Sequence, residues 1–351
     1  MMVRDRRITE QRPPRALSRL VGIGLPCMAL VAWSMLFGAC ARVSSPPTRV
    51  ERADELLHAG LKRYQESNYE AAMVRFNEAL NTSASVDYQK GVADALNNIA
   101  TVHLRRGNYE EALANYSGAL EVYRSLNDAE GVATILLNLG SVHSAARNSE
   151  KANEFYNMAL QAAQAKKLKT LEAKALNNLG LMMKEAGNTE EARELYERAL
   201  AINRREDNNH AIADNLNNLG TLSLQTGDPD AATEYFRSAL EIDKKLEIPE
   251  AIALDLFNIA SAHHAKGDYQ VALDYYGRSL AIFDFTSNWQ RIADTLYRIG
   301  MINEKAGDLD KAMENYNSAL EVATAAQIQA LAEKIRSRIR TLPPADDSNG
   351  R

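Results

Sequence analysis

Two kinds of side chain recur in this sequence at a spacing that could serve chemistry. Histidine stands at His103, His143 and His263, forty residues or a multiple of forty apart, and imidazole is both a metal ligand and a base near neutral pH. Asparagine stands at Asn98, Asn138, Asn178, Asn218 and Asn258, five successive steps of forty, and each amide offers donors and an acceptor together. The six histidines do not make up a metal or catalytic pattern. There is no H-E-x-x-H, no Cys–His set and no carboxylate run with the spacing of a calcium loop. His263 and His264 are adjacent, so they cannot share a helix face. A G-x-S-x-G elbow, a phosphate loop and a dinucleotide fingerprint are missing as well. Glu110-Glu111 and Glu190-Glu191 fall where the first turn of a helix favours negative charge. The expectation is a non-catalytic protein with structural histidines and no metal, cofactor or small-molecule substrate.

The elements that position these residues repeat with the same step. An Ala/Ser-Leu pair marks the register at Leu80, Leu120, Leu160, Leu200, Leu240, Leu280 and Leu320. A small residue recurs at Gly60, Ala100, Gly140, Gly180, Gly220, Ala260 and Gly300, with a leucine four residues before each. Alanine follows at 72, 112, 152, 192, 232, 272 and 312, then an aromatic at Phe76, Tyr116, Tyr156, Tyr196, Phe236, Tyr276 and Tyr316. Self-similarity at this period marks stacked supersecondary units. Apolar residues at i, i+3, i+4 and i+7 make each unit two amphipathic helices. Asn68, Asn108, Asn148, Asn188, Asp228, Asp268 and Asp308 are placed to cap the second helix, at about 1 kcal/mol apiece. Five of them follow a glycine (107, 187, 227, 267, 307) suited to the left-handed end of the first helix. Asn108–Glu111 and Asn188–Glu191 read as capping boxes, and Pro229 suits a first helical position. In the third unit Arg147 replaces the turn glycine, which predicts a looser turn there.

The order large apolar, small, turn, small, aromatic, Ala-Leu resembles the tetratricopeptide repeat (TPR). The resemblance covers residues 51–324 in seven copies. The forty-residue length and the Leu-Asn-Asn-Leu-Gly phrase are similar to the long-helix TPRs of kinesin light chains and G-protein-signalling modulators. It implies an all-α, right-handed solenoid whose first helices line a concave groove. The resemblance also implies that the asparagines of the ladder hydrogen-bond the main chain of a bound peptide; stacking of neighbouring repeats is the competing role. Neighbouring groove positions by family register include Asn97, Asn177, Asn217 and Lys174, with Phe257 and Tyr297 as apolar anchors or as packing between repeats. The basic set of a carboxylate clamp is not reproduced, so an acidic C-terminus is not the expected ligand.

The two ends differ from the array. Six arginines before residue 20 oppose only Asp5 and Glu10, and Leu20–Ala39 carries no charge. A basic start followed by an apolar run is an export signal. The run ends Leu36-Phe-Gly-Ala-Cys40, which resembles a bacterial lipobox with Cys40 as the lipidated residue; an uncleaved membrane anchor is the alternative, since twenty apolar residues can span a bilayer. Arg6-Arg7 is not followed by the rest of a twin-arginine motif. The expected divisions are a signal peptide at 1–39, Cys40 and a proline-bearing linker to residue 50, the repeats, a closing helix within 325–342 and a tail at 343–351. The closing helix, from Ala326, would carry Ile328, Leu331, Ile335 and Ile339 on one face and Lys334, Arg336, Arg338 and Arg340 on a solvated one. Of the two cysteines one lies in the signal and one at its end, so the body needs no disulfide. Removing the six basic and two acidic residues of the signal leaves 35 basic and 44 acidic, net −9, which argues against nucleic acid as a partner. The resulting expectation is an envelope lipoprotein, in the bacterial outer membrane with its repeats in the periplasm, that holds peptide segments of other proteins. The alternative is a membrane-anchored regulatory TPR protein facing the cytoplasm.

Overall fold

The computed structural model describes residues 47–342, so the signal segment, Cys40 and the tail lie outside the described residues. Fifteen helices occupy the described chain, each beginning twenty residues after its predecessor. The first repeat is α1 (Arg49–Gln65) with α2 (Tyr69–Ala84), and the second α3 (Gln89–Arg105) with α4 (Tyr109–Ser125). The third is α5 (Ala129–Ala145) with α6 (Ser149–Ala165), the fourth α7 (Lys169–Glu185) with α8 (Thr189–Arg205), and the fifth α9 (Asn209–Gln225) with α10 (Pro229–Leu246). The sixth is α11 (Pro249–Lys266) with α12 (Tyr269–Phe285), and the seventh α13 (Trp289–Lys305) with α14 (Leu309–Ala325); α15 (Gln329–Thr341) closes the array. Every helix packs on the next, each odd-numbered helix from α1 to α9 also touches the next odd one, and α13 touches α15. Even-numbered helices do not pack together to a comparable extent. The odd helices therefore form the inner row, where the array is tightest.

Close approach within a pair depends on the small residue of the odd helix. A Cβ built on Gly140 would lie 2.5 Å from the ring of Tyr156, and one on Gly220 2.5 Å from Phe236. The ring thus takes the volume the side chain gives up, as close packing requires. Phe76, Tyr116, Tyr196, Phe236, Tyr276 and Tyr316 are all essentially fully buried. These rings and the alanines beside them form a core that runs from pair to pair.

The turns close alike throughout. In each, an N–H bonds the carbonyl five residues back, as in Asn108 N–H to His103 O at 2.9 Å and Asp128 N–H to Tyr123 O at 2.9 Å. Glycines 107, 187, 227, 267 and 307 take φ between 77° and 86°. Arg147 takes φ 59°, yet its turn is as tight as the others, with Asn148 N–H 2.8 Å from His143 O. The looseness expected there is not found, because the turn's two backbone hydrogen bonds hold the left-handed residue. Left-handed residues also occupy the turns between pairs, at Asp87, Asn127, Lys167, Asp207, Glu247, Ser287 and Gln327. Gln327 is why the closing helix starts at Gln329, three residues later than expected.

The caps divide into two groups. Asn68, Asn148, Asp228 and Asp308 accept from the backbone N–H three residues on. Asn108, Asn188 and Asp268 instead turn back five residues, to His103 Nδ1 (3.5 Å), Met183 Sδ (3.8 Å) and His263 Nδ1 (3.1 Å). The capping boxes expected at Asn108–Glu111 and Asn188–Glu191 therefore do not form. One forms at the head of the array, where Glu51 N–H bonds Thr48 Oγ1 and Thr48 N–H bonds Glu51 Oε2. Those bonds to the Thr48 backbone and hydroxyl hold the Glu51 carboxyl below its ordinary value. On α15 the basic face is not uniformly solvated. Arg338 grips Glu304 with two bonds, at 2.8 and 2.6 Å, and Lys334 lies 4.8 Å from the Tyr297 ring centre.

Candidate peptide-binding face

The asparagine ladder lies along the inner row, on α3, α5, α7, α9 and α11, half-buried at each step. Its chemistry depends on what stands forty-one residues earlier. Where that residue is asparagine, the two amides bond across the joint: Asn138 Nδ2 to Asn97 Oδ1 at 2.9 Å, Asn218 Nδ2 to Asn177 Oδ1 at 2.8 Å, and Asn258 Nδ2 to Asn217 Oδ1 at 3.0 Å. Where it is leucine, at Leu57 and Leu137, the amides of Asn98 and Asn178 have no side-chain hydrogen bond among the described residues. The ladder thus mixes amides tied to the preceding repeat, at Asn138, Asn218 and Asn258, with amides that are not, at Asn98 and Asn178. Asn177 carries a double load, since Asn215 Nδ2 also donates to its Oδ1 at 2.9 Å. Asn203 of α8 donates in turn to Asn215 at 2.7 Å.

Around the unengaged Asn178 the inner face opens into a depression of about 260 Å³ between α5, α7 and α9. Asn138, Asn177, Asn178, Thr134 and Ser141 line its polar wall and Leu137 and Leu171 its apolar one. Lys174 and Asp214 stand exposed at its rim and give it one charge of each sign. Asp214 is 3.2 Å from His210, and Lys174 has no ion pair among the described residues. Two residues of this wall, Asn203 and Asn215, were not foreseen. Their only signal is polarity at positions held by alanine at Ala163 and Ala175 one repeat earlier.

From α11 onward the inner face changes character. Phe257 and Tyr297, at 4% and 6% exposure, are buried. Phe257 meets Tyr276 edge-on at 5.3 Å and is covered by the guanidinium groups of Arg298 at 4.8 Å and Arg291 at 5.7 Å. Tyr297 leans on Tyr316 at 5.5 Å beneath Lys334. Their rings serve the joints between repeats, the packing role, and present little surface for an anchor. Arg298 stands at the ladder position after Asn258, so at this step a cation on a ring replaces the amide pair. Burial lowers the His264 imidazole, with Lys305 and Arg298 adding to the effect. His143 stacks on Phe155 and His263 on Tyr275, at 5.3 and 5.8 Å, the packing role that aromatic residues hold elsewhere.

Burial also raises the tyrosine hydroxyls of the core, Tyr116 to about 12. Three of them reach a hydroxyl fifteen residues earlier: Tyr116 to Thr101 at 2.9 Å, Tyr156 to Ser141 at 3.3 Å, Tyr276 to Ser261 at 3.0 Å. Tyr196 has Leu181 at that place, and its buried hydroxyl has no partner among the described residues.

Paired helices, left-handed turns every twenty residues and an inner row of amides define a helical-repeat solenoid. The chain matches the tetratricopeptide repeat family over residues 91–165, 171–245 and 250–325 and belongs to it. Members of this family are typically modules that bind other proteins. Among curated proteins none matches the chain by sequence. Among solved structures it is similar to the Rap conjugation gene regulator of the plasmid pLS20 in complex with the Phr* peptide (18% identity, 85% of this chain and 78% of that one covered, TM-score 0.61). It is also similar to the apo form of the quorum sensor NprR from B. thuringiensis (14% identity, 78% and 77% covered, TM-score 0.61). A third is aspartyl phosphate phosphatase F from Bacillus subtilis (15% identity, 84% and 79% covered, TM-score 0.56). At these identities the likeness is one of fold.

Proposed function

We propose that the protein is a non-catalytic scaffold that holds an extended segment of a partner protein along the inner face of repeats three to five. The observation that carries this is the depression around Asn178, where an unengaged amide stands between an exposed lysine and an exposed aspartate. Such an amide can donate to and accept from a peptide backbone whatever its side chains. The similarity in fold to a regulator complexed with a peptide supports the same reading. A photo-crosslinking residue at Thr134, in the otherwise wild-type full chain, should capture a partner segment in cells. Adding Lys174→Ala and Asn178→Ala, which breaks no side-chain hydrogen bond among the described residues, should abolish the capture with the circular dichroism unchanged. Capture at undiminished yield in that variant would overturn the assignment of the groove.

The proposal extends to location. The basic start, the apolar run and Cys40 at its end support an envelope lipoprotein, lipidated at Cys40 and carried on the outer membrane with its repeats in the periplasm. Cys40→Ser should abolish fatty-acid labelling and release the protein from the membrane fraction. Labelling that persists in the variant, or that the wild type never shows, refutes the lipid anchor.

A further inference from the structure

The joints after repeats four and five carry polar pairs at matching positions. After repeat four the pair is Asn203 with Asn215, two amides bonded at 2.7 Å. Forty residues on it is Asp243 of α10 with Asp255 of α11. Asp243 is 4% exposed and Asp255 fully buried, and the two carboxyl groups lie within hydrogen-bonding reach of each other. Two carboxylates cannot accept from one another, and two buried like charges at contact repel strongly. One acceptor of the pair is satisfied: Asn217 Nδ2 donates to Asp255 Oδ1 at 2.6 Å. The other oxygen, Asp255 Oδ2, is buried with no donor among the described residues. A proton between the two groups supplies the missing donor and removes one of the charges.

We propose that Asp243 and Asp255 hold one proton between them, and that loss of this proton as pH rises loosens the joint between repeats five and six. The charged groups facing the pair are Asp214 and His210, both of α9. Asp214 adds negative charge and favours keeping the proton, while His210, when charged, opposes it. Burial pushes Asp255 up to about 8, with Asp243 adding to the effect, and burial raises Asp243 as well. The sign follows from linkage. Below the ordinary carboxyl value both folded and unfolded chains hold the proton, so stability is greatest there. Between that value and about 8 the folded chain keeps a proton the unfolded chain has released. Over that window the folded-to-unfolded ratio falls about tenfold per pH unit for the one group. The joint sits directly under the ladder, because Asn217 also accepts from Asn258 at 3.0 Å. The proton therefore holds the inner row together at this step.

The test is thermal unfolding of the full chain from pH 5 to pH 9, wild type beside Asp243→Asn with Asp255→Asn, which copies the amide pair of the preceding joint. The wild type should lose melting temperature relative to the variant as pH rises, and the variant should be the more stable at pH 9. A constant difference between them across the range overturns the proposal. Should the double variant fail to fold, carboxyl carbon NMR of the aspartates in the wild type decides. A carboxyl titrating above pH 7 supports the shared proton, and titration of every aspartate below pH 5 overturns it.

Discussion

The inner face of repeats three to five and that of repeats six and seven come from the same repeat unit, yet they are finished differently. In the central repeats the ladder position is an amide, its neighbour is Leu137, Asn177 or Asn217, the depression stays open, and Lys174 and Asp214 keep their charges at the surface. In the last two repeats an aromatic ring takes the neighbouring position, and Arg298, Arg291 and Lys334 lie over the rings. A ring with a cation above it consumes both groups in packing. An amide bonded through one atom retains further hydrogen-bonding capacity. One stretch of the array is therefore built to hold itself together, and the other retains groups with which to hold something else.

The largest effect expected from this contrast is on stability at the C-terminal end. Phe257→Ala removes a buried ring that fills the joint between repeats six and seven, and losses of about 3–5 kcal/mol are usual for such truncations. The urea midpoint should fall accordingly, while capture of a partner at Thr134 in the folded protein should be unchanged. Lys174→Ala should do the reverse, leaving the midpoint in place and weakening capture. If Phe257→Ala leaves stability untouched, the two regions are not divided in this way.

A smaller effect separates adjacent asparagines of the central region. Asn177→Ala leaves two donors, Asn215 Nδ2 and Asn218 Nδ2, without their acceptor. Asn215 is 1% exposed, so the loss should be about 1–3 kcal/mol. Asn178→Ala removes an amide with no side-chain bond among the described residues and should change stability by less than about 0.5 kcal/mol. Equal losses at the two positions, measured by denaturant midpoint, would show that the unengaged amide also supports the stack.

This division was legible in the sequence only in part. The forty-residue step, the Gly–aromatic pairs and the Asn or Asp at the start of each even helix follow from the residues themselves, because packing at close range dictates their types. The direction of each asparagine was not legible. It depends on the residue forty-one positions earlier, which becomes a neighbour only when repeats stack, and Leu137 against Asn177 decides whether the amide above is free. The caps failed for a similar reason. Asn108 and Asn188 have the right spacing to Glu111 and Glu191, but His103 and Met183 one turn back offer them other partners. Left-handed Lys167, Glu247 and Gln327 gave no signal at all, since their side chains are not the types that favour that conformation. The acid pair was visible as two letters and meaningless until α10 met α11.

The finest effect concerns one hydroxyl. Three core tyrosines find a serine or threonine fifteen residues earlier, whereas Tyr196 finds Leu181 and its buried oxygen stays unpartnered. Leu181 is 36% exposed, so replacing it sacrifices little apolar burial. Leu181→Thr should place a hydroxyl where Thr101 stands in repeat two, bonded both to the tyrosine and to the carbonyl four residues back, as Thr101 is to Asn97 O at 2.9 Å. The expected gain is about 1 kcal/mol, the net worth of one buried hydrogen bond. Tyr196→Phe separates this from a mere change of propensity. In the parent it should be neutral or slightly stabilising, because it removes an unpaired polar atom. In the Leu181→Thr background it should cost about 1 kcal/mol, because a bond is then broken. Absence of that coupling in the cycle of midpoints would mean that the Tyr196 hydroxyl is already satisfied by solvent, and that the fourth repeat is less tightly closed than its neighbours.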